Sequence, residues 1–583
     1  MSDDQLVPTA APADRPSFTI SAGGTEIKGE YQVRSIVVER AFNRVAAAEI
    51  VVFDGDVAAR EFPASDADDF VPGTEIEIAA GYHGEEDVIF KGIVVRHGLR
   101  APAGRPSTLC IECRDAAVKL TVGRKTGYFY DETDADIIEA ICSDAGLTPD
   151  VATTQVTHPS MVQYYATDWD FILTRAEANG MLVATKDGTL EVKAPDASGE
   201  AALVVGYGGN VLEFEAAADA RDQLAAVQSS AWNPADQELA EVEGADPGAV
   251  TPGNLDAGDL ADVVGLDAFE LKHGGILADD ELQGWADAQL LRSGFAKVRG
   301  RVRVQGFGAI EPGDTIELKD VGDRFTGTAL VAGVRHEISS RNWETDVQFG
   351  LSPDAFGSVT RDVVDSEANG LLPGVQGVHV ALVTALEGDP DGEHRIQVRI
   401  PMIDVTGEGV WARVATLDAG ENRGSFFLPE IGDEVIVGFL GGDPRDPVVL
   451  GMMNSSAKPA PIEASDDNHE KGLVTRGELK VLFDDDKLVV TIETPNGNTI
   501  VLSDDDGAIT VEDESGNKLT MESDGVTVTS AGDLTLQADG DVTIEGSNVT
   551  IAAQSQLAAD GSSGAEFTSG GSTVVKGSVV QLN

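Results

Sequence analysis

Val526-Thr527-Val528, Leu534-Thr535-Leu536, Val542-Thr543-Ile544 and Val549-Thr550-Ile551 follow one another about eight residues apart near the end of a 583-residue chain. Within each triplet the two apolar residues are two apart, so both fall on one face of a strand. The beat extends back through Leu519/Met521, Ile509/Val511 and Ile500/Leu502, and forward through fainter copies at Leu557/Ala559, Ala565/Phe567, Thr573/Val575 and Val580/Leu582. Turns such as Asp506-Gly507, Asp524-Gly525, Asp539-Gly540-Asp541 and Gly546-Ser547-Asn548 separate the pairs. A strand residue advances about 3.3 Å, so a rung of roughly eight residues is too short to coil round and cover its own inner face. Solenoid repeats within one chain run to about 20 residues or more for that reason. Three chains wound together remove the difficulty, each forming one wall of a triangular prism. Residues 472–583 are therefore expected to form a needle, an intertwined trimeric β-helix. Its core would hold Val526, Val528, Leu534, Leu536, Val542, Ile544, Val549 and Ile551.

Length and charge set the remaining bounds. A chain this long exceeds a single core, so three or more folded units are expected. No apolar run approaches the roughly 20 residues of a membrane helix. The acidic start, Met1-Ser2-Asp3-Asp4, has no basic or apolar region of a secretory leader, so none is expected. With 41 basic and 100 acidic residues the net charge is −59, which argues against nucleic acid as a partner. Dispersed acidity with a normal apolar content fits a folded protein kept soluble at high salt. A halophilic source is the preferred reading, with an ordinary acidic protein of a GC-rich bacterium as the alternative.

Upstream, short alternating strands over 17–122 suggest a barrel or sandwich. Two helices should follow, one started by Asp134 and stopped by Gly146, the other started by Asp168 and stopped by Gly180, then a hairpin at Leu182–Val192. Residues 233–265 read as an acidic loop, and a further helix should begin near Asp280. An internal echo links Val71-Pro72-Gly73-Thr74-Glu75 and Val95-Arg96-His97 to Glu311-Pro312-Gly313-Asp314-Thr315 and Val334-Arg335-His336. It suggests two similar β-barrels in a hub region spanning 1–365. In a trimer that makes six similar units, a match for a hexameric partner.

The chemistry sought and not found narrows function further. Cys110 and Cys113 sit in an apparent strand, where i and i+3 point to opposite faces, so neither metal nor redox work is expected of them. The eight histidines form no H-x-x-x-H or H-x-H pair. The runs Asp484–Asp486 and Asp504–Asp506 miss calcium-loop spacing and read as solvated turns. Gly206-Tyr207-Gly208-Gly209 lacks the rest of a dinucleotide fingerprint. No catalytic residue, metal or cofactor is expected, and the chain reads as a non-enzyme.

Residues 370–454 carry an ordered set of landmarks. They are Pro373-Gly374-Val375, Gly392-Glu393-His394-Arg395-Ile396-Gln397-Val398, Val410-Trp411-Ala412-Arg413-Val414, Pro429-Glu430-Ile431-Gly432-Asp433-Glu434-Val435, Gly442-Asp443-Pro444 and Gly451-Met452-Met453-Asn454. This set resembles the OB-fold of the VgrG and phage-spike group. Asp168–Gly180 resembles the helix-to-strand segment of that group's hub, and the needle resembles its triple-stranded β-helix. The resemblance implies a mainly β chain with a smaller α/β part: a β-barrel hub, an OB-fold over 366–456, a linker over 457–471, and the needle. It implies a homotrimeric baseplate hub and spike, most like that of extracellular contractile injection systems. Such a spike sits on a hexameric inner-tube protein among baseplate proteins, and meets a target membrane only by piercing it. A PAAR-type tip protein would seat on Val579, Val580, Leu582 and Asn583, where the chain stops inside its repeat. Assembly would occur in the cytoplasm, into a particle that is either released or retained. A type VI secretion VgrG or prophage tail spike is the alternative; a trimeric adhesin and a β-solenoid lyase are weaker ones.

The charge yields a prediction. Melting of the assembled protein should rise in temperature between about 0.05 and 2 M salt, as the Debye length falls to roughly 3 Å near 1 M. An unchanged melting curve, followed by circular dichroism, would remove the physical support for a high-salt source.

Overall fold

The computed structural model describes residues 15–582 except 246, 247, 341, 361, 362, 364 and 365. Met1–Asp4 and Asn583 thus lie outside the described residues. The chain divides into two compact units, one spanning 1–377 with 439–446 and the other 378–438 with 447–583.

The first unit is organised by a 13-stranded sheet. Its N-terminal part includes Ser17–Ala22, Gln32–Ala41, Ala47–Phe53, Glu75–Tyr82, Glu85–Arg100 and Thr108–Arg114. Alternation along these strands buries Ile36, Val38, Ile50, Val52, Ile78, Phe90, Leu109 and Ile111 in one core. A second core, with Val205, Val302, Val304, Ile316, Leu318, Val331 and Val347, forms under Leu203–Gly206, Val298–Gln305, Thr315–Lys319, Gly327–Ser339 and Trp343–Phe349. The two sets are not separate sheets. Gln32–Ala41 pairs antiparallel with Gly327–Ser339, placing Val38 opposite His336.

The echo has a structural counterpart. Gly73 N–H donates to the Val94 carbonyl and Val94 N–H to Thr74, at 2.8 and 2.9 Å; Gly313 N–H donates to Val331 and Val331 N–H to Asp314, at 2.9 and 2.8 Å. Both glycines have φ near +100°, which is why glycine follows proline in each copy. A bulge follows Val94 in one copy and Val331 in the other. Val94 is therefore equivalent to Val331, and the two Val-Arg-His endings are out of register by two. His97 bonds to Ser65 Oγ and the Phe70 carbonyl, whereas His336 is fully buried against Thr345 Oγ1.

Helices α1 (Asp134–Asp144) and α2 (Asp168–Ala178) pack on the hairpin Leu182–Lys186/Thr189–Lys193 around Ile137, Ile138, Phe171, Ile172, Val183 and Val192. Both start one residue earlier than expected. Thr133 caps α1 in a reciprocal box with Asp136, and Thr167 caps α2 through the Asp170 N–H. Asp134 and Asp168 are buried instead, because each has cationic company. Asp134 takes Arg175 Nε and Nη2 at 2.6 and 2.9 Å and Asn179 Nδ2 at 2.8 Å, with His158 Nε2 at 3.2 Å. Lys125 Nζ lies 2.6 Å from Asp168.

The acidic segment 233–265 is not a simple loop. Glu238–Glu243 is a strand paired with Val227–Asn233, setting Leu239 opposite Trp232. Helix α3 (Ala257–Val264) is capped by Asp256 and ended by Gly265 at φ +70°. The partner is the adjacent arm of a hairpin, turned at 234–237, so the acid-rich composition hid a local strand signal. Helix α4 (Asp279–Phe295) then covers the central strand, where Ser229 Oγ donates to the Leu282 carbonyl at 2.8 Å.

The second unit opens with a closed five-stranded barrel of His379–Ala385, Ile396–Arg399, Val410–Val414, Glu434–Phe439 and Pro447–Met452. Ala381, Val383, Val398, Ala412, Val435, Val437 and Val449 fill it. No helix among the described residues is long and apolar enough to cross a membrane.

Burial raises the Asp134 pKa, but the bonds from Arg175, Asn179 and His158 outweigh it and hold the carboxyl below the usual range. Its stabilising contribution is present above about pH 4 and is lost as pH falls through the depressed folded value. Arg175→Ala strands the buried carboxylate and should cost on the order of 3–5 kcal/mol in denaturant unfolding. A loss under about 1 kcal/mol, typical of surface pairs, would show that the pair is solvated.

Candidate functional site: an uncovered apolar assembly surface

Seven five-residue strands follow the barrel: Glu470–Val474, Lys480–Asp484, Val489–Glu493, Thr499–Ser503, Ala508–Glu512, Lys518–Glu522 and Gly525–Thr529. Each pairs antiparallel with the next. The register stacks the apolar pairs into two columns. One runs Val481, Ile492, Ile500, Val511, Leu519, Val528; the other Phe483, Val490, Leu502, Ile509, Met521, Val526. The middle residues, including Thr491, Thr510, Thr520 and Thr527, face the other way.

Local chemistry makes each reversal. Asp513 Oδ1 accepts from the Ser515 and Asn517 N–H groups, and Asn517 Nδ2 donates to its other oxygen at 2.7 Å. The Asn517 bonds, first the side chain and then the backbone, lower the Asp513 pKa. Asp484 Oδ1 likewise accepts from the Asp486 and Lys487 N–H groups. Asp484 and Asp513 thus bind the backbone of their own turns, while at Asp504–Asp506 the Ser503 hydroxyl donates to the Asp506 carboxylate and accepts from the Asp506 N–H. Among the described residues no group of three or more His, Cys, Asp or Glu is placed to hold a metal ion.

Neither column has a cover. Leu502, Ile509, Val511 and Met521 remain about 40 % exposed, and Val526 and Val528 more so. After Thr529 the described chain has no helix or strand at all. Leu534, Leu536, Val542, Ile544, Val549 and Ile551 lie there, each more than half exposed. Beyond residue 529 the backbone bonds to itself at Gly564 N–H to Gly561 carbonyl and at no other recorded place among the described residues. Of the expected tip residues, Val579, Val580 and Leu582 are exposed as well.

The eight expected core positions thus divide. Val526 and Val528 close the paired meander, and the other six belong to the unpaired stretch. Ordering an extended residue costs about 1–2 kcal/mol in backbone entropy. Full burial of an aliphatic side chain returns roughly 1.5–3 kcal/mol. With its apolar groups in water, the stretch from 530 onward gains nothing to offset that cost within one chain. Sequence reading took the whole beat as one regime. It missed the break at Ser530, and it missed the earlier rungs Val481/Phe483 and Val490/Ile492, whose spacing of two was available.

Comparison with known proteins follows the same divisions. Residues 12–340, more than half the chain, match the family described as the Alg8 N-terminal domain. Residues 379–453 match the type VI secretion system/phage-baseplate injector OB domain, and 489–557 the phage baseplate V C-terminal trimerisation domain. The type VI secretion system spike proteins VgrG1b and VgrG1a of Pseudomonas aeruginosa are 27% and 28% identical over 213 and 201 residues. Those stretches cover 34% and 32% of this chain but only 28% and 30% of the two relatives. Among solved structures, the 43 kDa tail protein of prophage MuSo2 from Shewanella oneidensis superposes with a TM-score of 0.44 at 15% identity, covering 58% of this chain and 99% of that one.

Replacing Val542 and Ile544 together with Asp should abolish self-association, since each buried unpaired carboxylate costs several kcal/mol. The hub and barrel should stay folded. Sedimentation gives the mass, and circular dichroism checks the rest. Unaltered association would mean these side chains do not face a shared interior.

Proposed function

The chain belongs to the VgrG and phage-baseplate hub-and-spike family, and from that premise we propose that it is the central spike of a contractile injection machine. Three copies wind their tails into one needle, the hub joins that needle to the inner tube, and sheath contraction drives the assembly through a target envelope. The role is mechanical, and the chain acts as a rigid part rather than as a catalyst. The observation that carries this reading is the tail beyond Ser530, which bears six apolar core positions and almost no backbone partner of its own. Buried or membrane-penetrating strands must satisfy their N–H and C=O groups, and neighbouring chains are the available source.

The finer assignments rest on the same premise. Two similar strand arrangements per chain give six in a trimer, which suits a hexameric inner-tube protein. Other baseplate proteins surround the hub. The PAAR-type cap would seat on Val579, Val580 and Leu582, which are exposed, together with Asn583, which lies outside the described residues. The needle opening at Glu478–Asp486 favours the extracellular injection branch, in which particles assemble in the cytoplasm and leave the cell. A type VI VgrG or a prophage spike is the second reading, favoured by the names of the matched relatives.

Deleting Ser578–Asn583 should leave the trimer intact and abolish co-purification of the tip partner, and with it penetration. Negative-stain microscopy of the particles reads both results. A truncated spike that still carries its cap would place the cap elsewhere. A chain that never enters a sheathed particle would overturn the function as a whole.

A further inference from the structure

The corner that opens a strand in both hub cores occurs a third time, in the barrel, with Ile431 in the place of the proline. At Glu430-Ile431-Gly432-Asp433 the Asp433 carboxylate accepts from the Glu430 N–H at 2.9 Å, and the Asp433 N–H donates to the Glu430 carbonyl at 2.9 Å. Gly432, at φ +85°, donates to the Val383 carbonyl at 2.8 Å, and the Val383 N–H donates to the Asp433 carbonyl at 3.0 Å. A bulge follows Val383, as it follows Val94 and Val331. Glu311-Pro312-Gly313-Asp314 is closed in the same way, Glu311 N–H to Asp314 Oδ2 at 2.8 Å and Asp314 N–H to the Glu311 carbonyl at 3.2 Å. Because the Asp closes the turn, the Glu carboxylate is left for other elements.

Both acidic corners hold cations that arrive from elsewhere in the chain. In the hub, Glu311 takes Arg40 Nη1 at 2.9 Å and Lys186 Nζ, one from the strand Gln32–Ala41 and the other from the hairpin beside α2. In the barrel, Glu430 takes Arg476 Nη1 at 2.6 Å. Lys458 Nζ donates to the Gly432 carbonyl at 2.6 Å and to Asp433 Oδ1 at 2.7 Å. Lys458 is the only Lys or Arg in the linker stretch 455–469, and Arg476 lies in the turn between the first two needle strands. Each is presented by a closed turn, Lys458 N–H donating to the Ser455 carbonyl at 3.0 Å and Glu478 N–H to the Thr475 carbonyl at 2.9 Å.

We propose that the Glu430–Asp433 corner is the seat of the needle, where Lys458 and Arg476 lock the linker and the first needle turn to the barrel and set the angle between the two. The proposal deepens the spike reading and rests on it, since a piercing stroke needs a needle held in line with the barrel that pushes it. Exposed ion pairs are weak singly, but these form within one chain, and the covalent linker keeps both cations near the corner. Contacts at 2.6–2.7 Å also lie inside the Debye length of about 3 Å that holds at 1 M salt, so the seat persists where longer-range repulsion is screened.

Hydrogen exchange of the full-length protein, read by mass spectrometry, tests the contact. In the Lys458→Gln, Arg476→Gln variant the amides of Lys458 and Glu478 should exchange about three- to tenfold faster, while the barrel strands keep wild-type rates. Lys471→Gln is the control, because Lys471 pairs with Asp485 inside the needle. Exchanging the partners, Glu430→Lys with Arg476→Glu, should return Glu478 to its wild-type rate. Unchanged exchange in the double variant, or an equal rise in the control, would overturn the seat. In electron micrographs of assembled particles the spread of needle angles should widen in the double variant, and needles as straight as wild type would overturn it too. A chain absent from every sheathed particle would instead overturn the spike reading, and with it the role given to the seat, while the exchange rates still decide the contact.

Discussion

Every non-proline residue of a β-strand carries a donor and an acceptor that must find partners, and the architecture of this chain varies with where those partners come from. In the barrel they come from four other strands, and closure leaves no edge. In the meander each strand is served by the next, through turns that Asp484 and Asp513 close with their own carboxylates. From Ser530 the chain stops supplying its own partners while continuing to present apolar pairs. The same short rung that leaves the interior uncovered also denies the backbone a ladder. Both deficits have one remedy, a neighbouring identical tail, and the proposed needle follows from it.

A net charge of −59 works against that remedy, so it matters how the few cations are used. Many lie on one face of the hub sheet, strand to strand. Arg301 reaches Glu213, Arg303 holds Asp346 through two bonds at 2.9 and 3.1 Å, and Arg335 meets Glu39 and Glu337. The exposed pairs among them contribute about 0–1 kcal/mol each, too little to account for the fold, whereas Asp346 is buried under its Arg303 bonds. Their alternation fits one register, however, and penalises a slip that would set like charges opposite one another. The strand Gly327–Ser339, which links the two cores, takes part through Arg335.

The repeated Pro-Gly corner shows how far a short motif can be trusted. Gly73 and Gly313 share a left-handed φ, the same pair of backbone bonds and the same bulge afterwards. Backbone geometry is what the motif encodes. The side chains beyond it have diverged, so that the matching Val-Arg-His letters occupy different positions and His97 and His336 have unrelated partners. Similar letters near a shared corner were therefore weaker guidance than the corner itself.

The sequence by itself determined the period of the tail, the alternation of the hub and barrel strands, the stops at Gly146 and Gly180, and the excess of acid. These are local properties, written in residues two, eight or a few positions apart. It also made the first, second and fourth helices legible, though it named Asp134 and Asp168 as caps where Thr133 and Thr167 serve. Only the tertiary structure decided that Asp134 and Asp168 are buried, because Arg175 and Lys125 reach them from other elements. Only tertiary pairing joined two cores through one sheet. It also set the break at Ser530, since pairs before and after it look alike in sequence. What separates them is whether the next strand folds back onto the same chain, and that depends on partners no local pattern can specify.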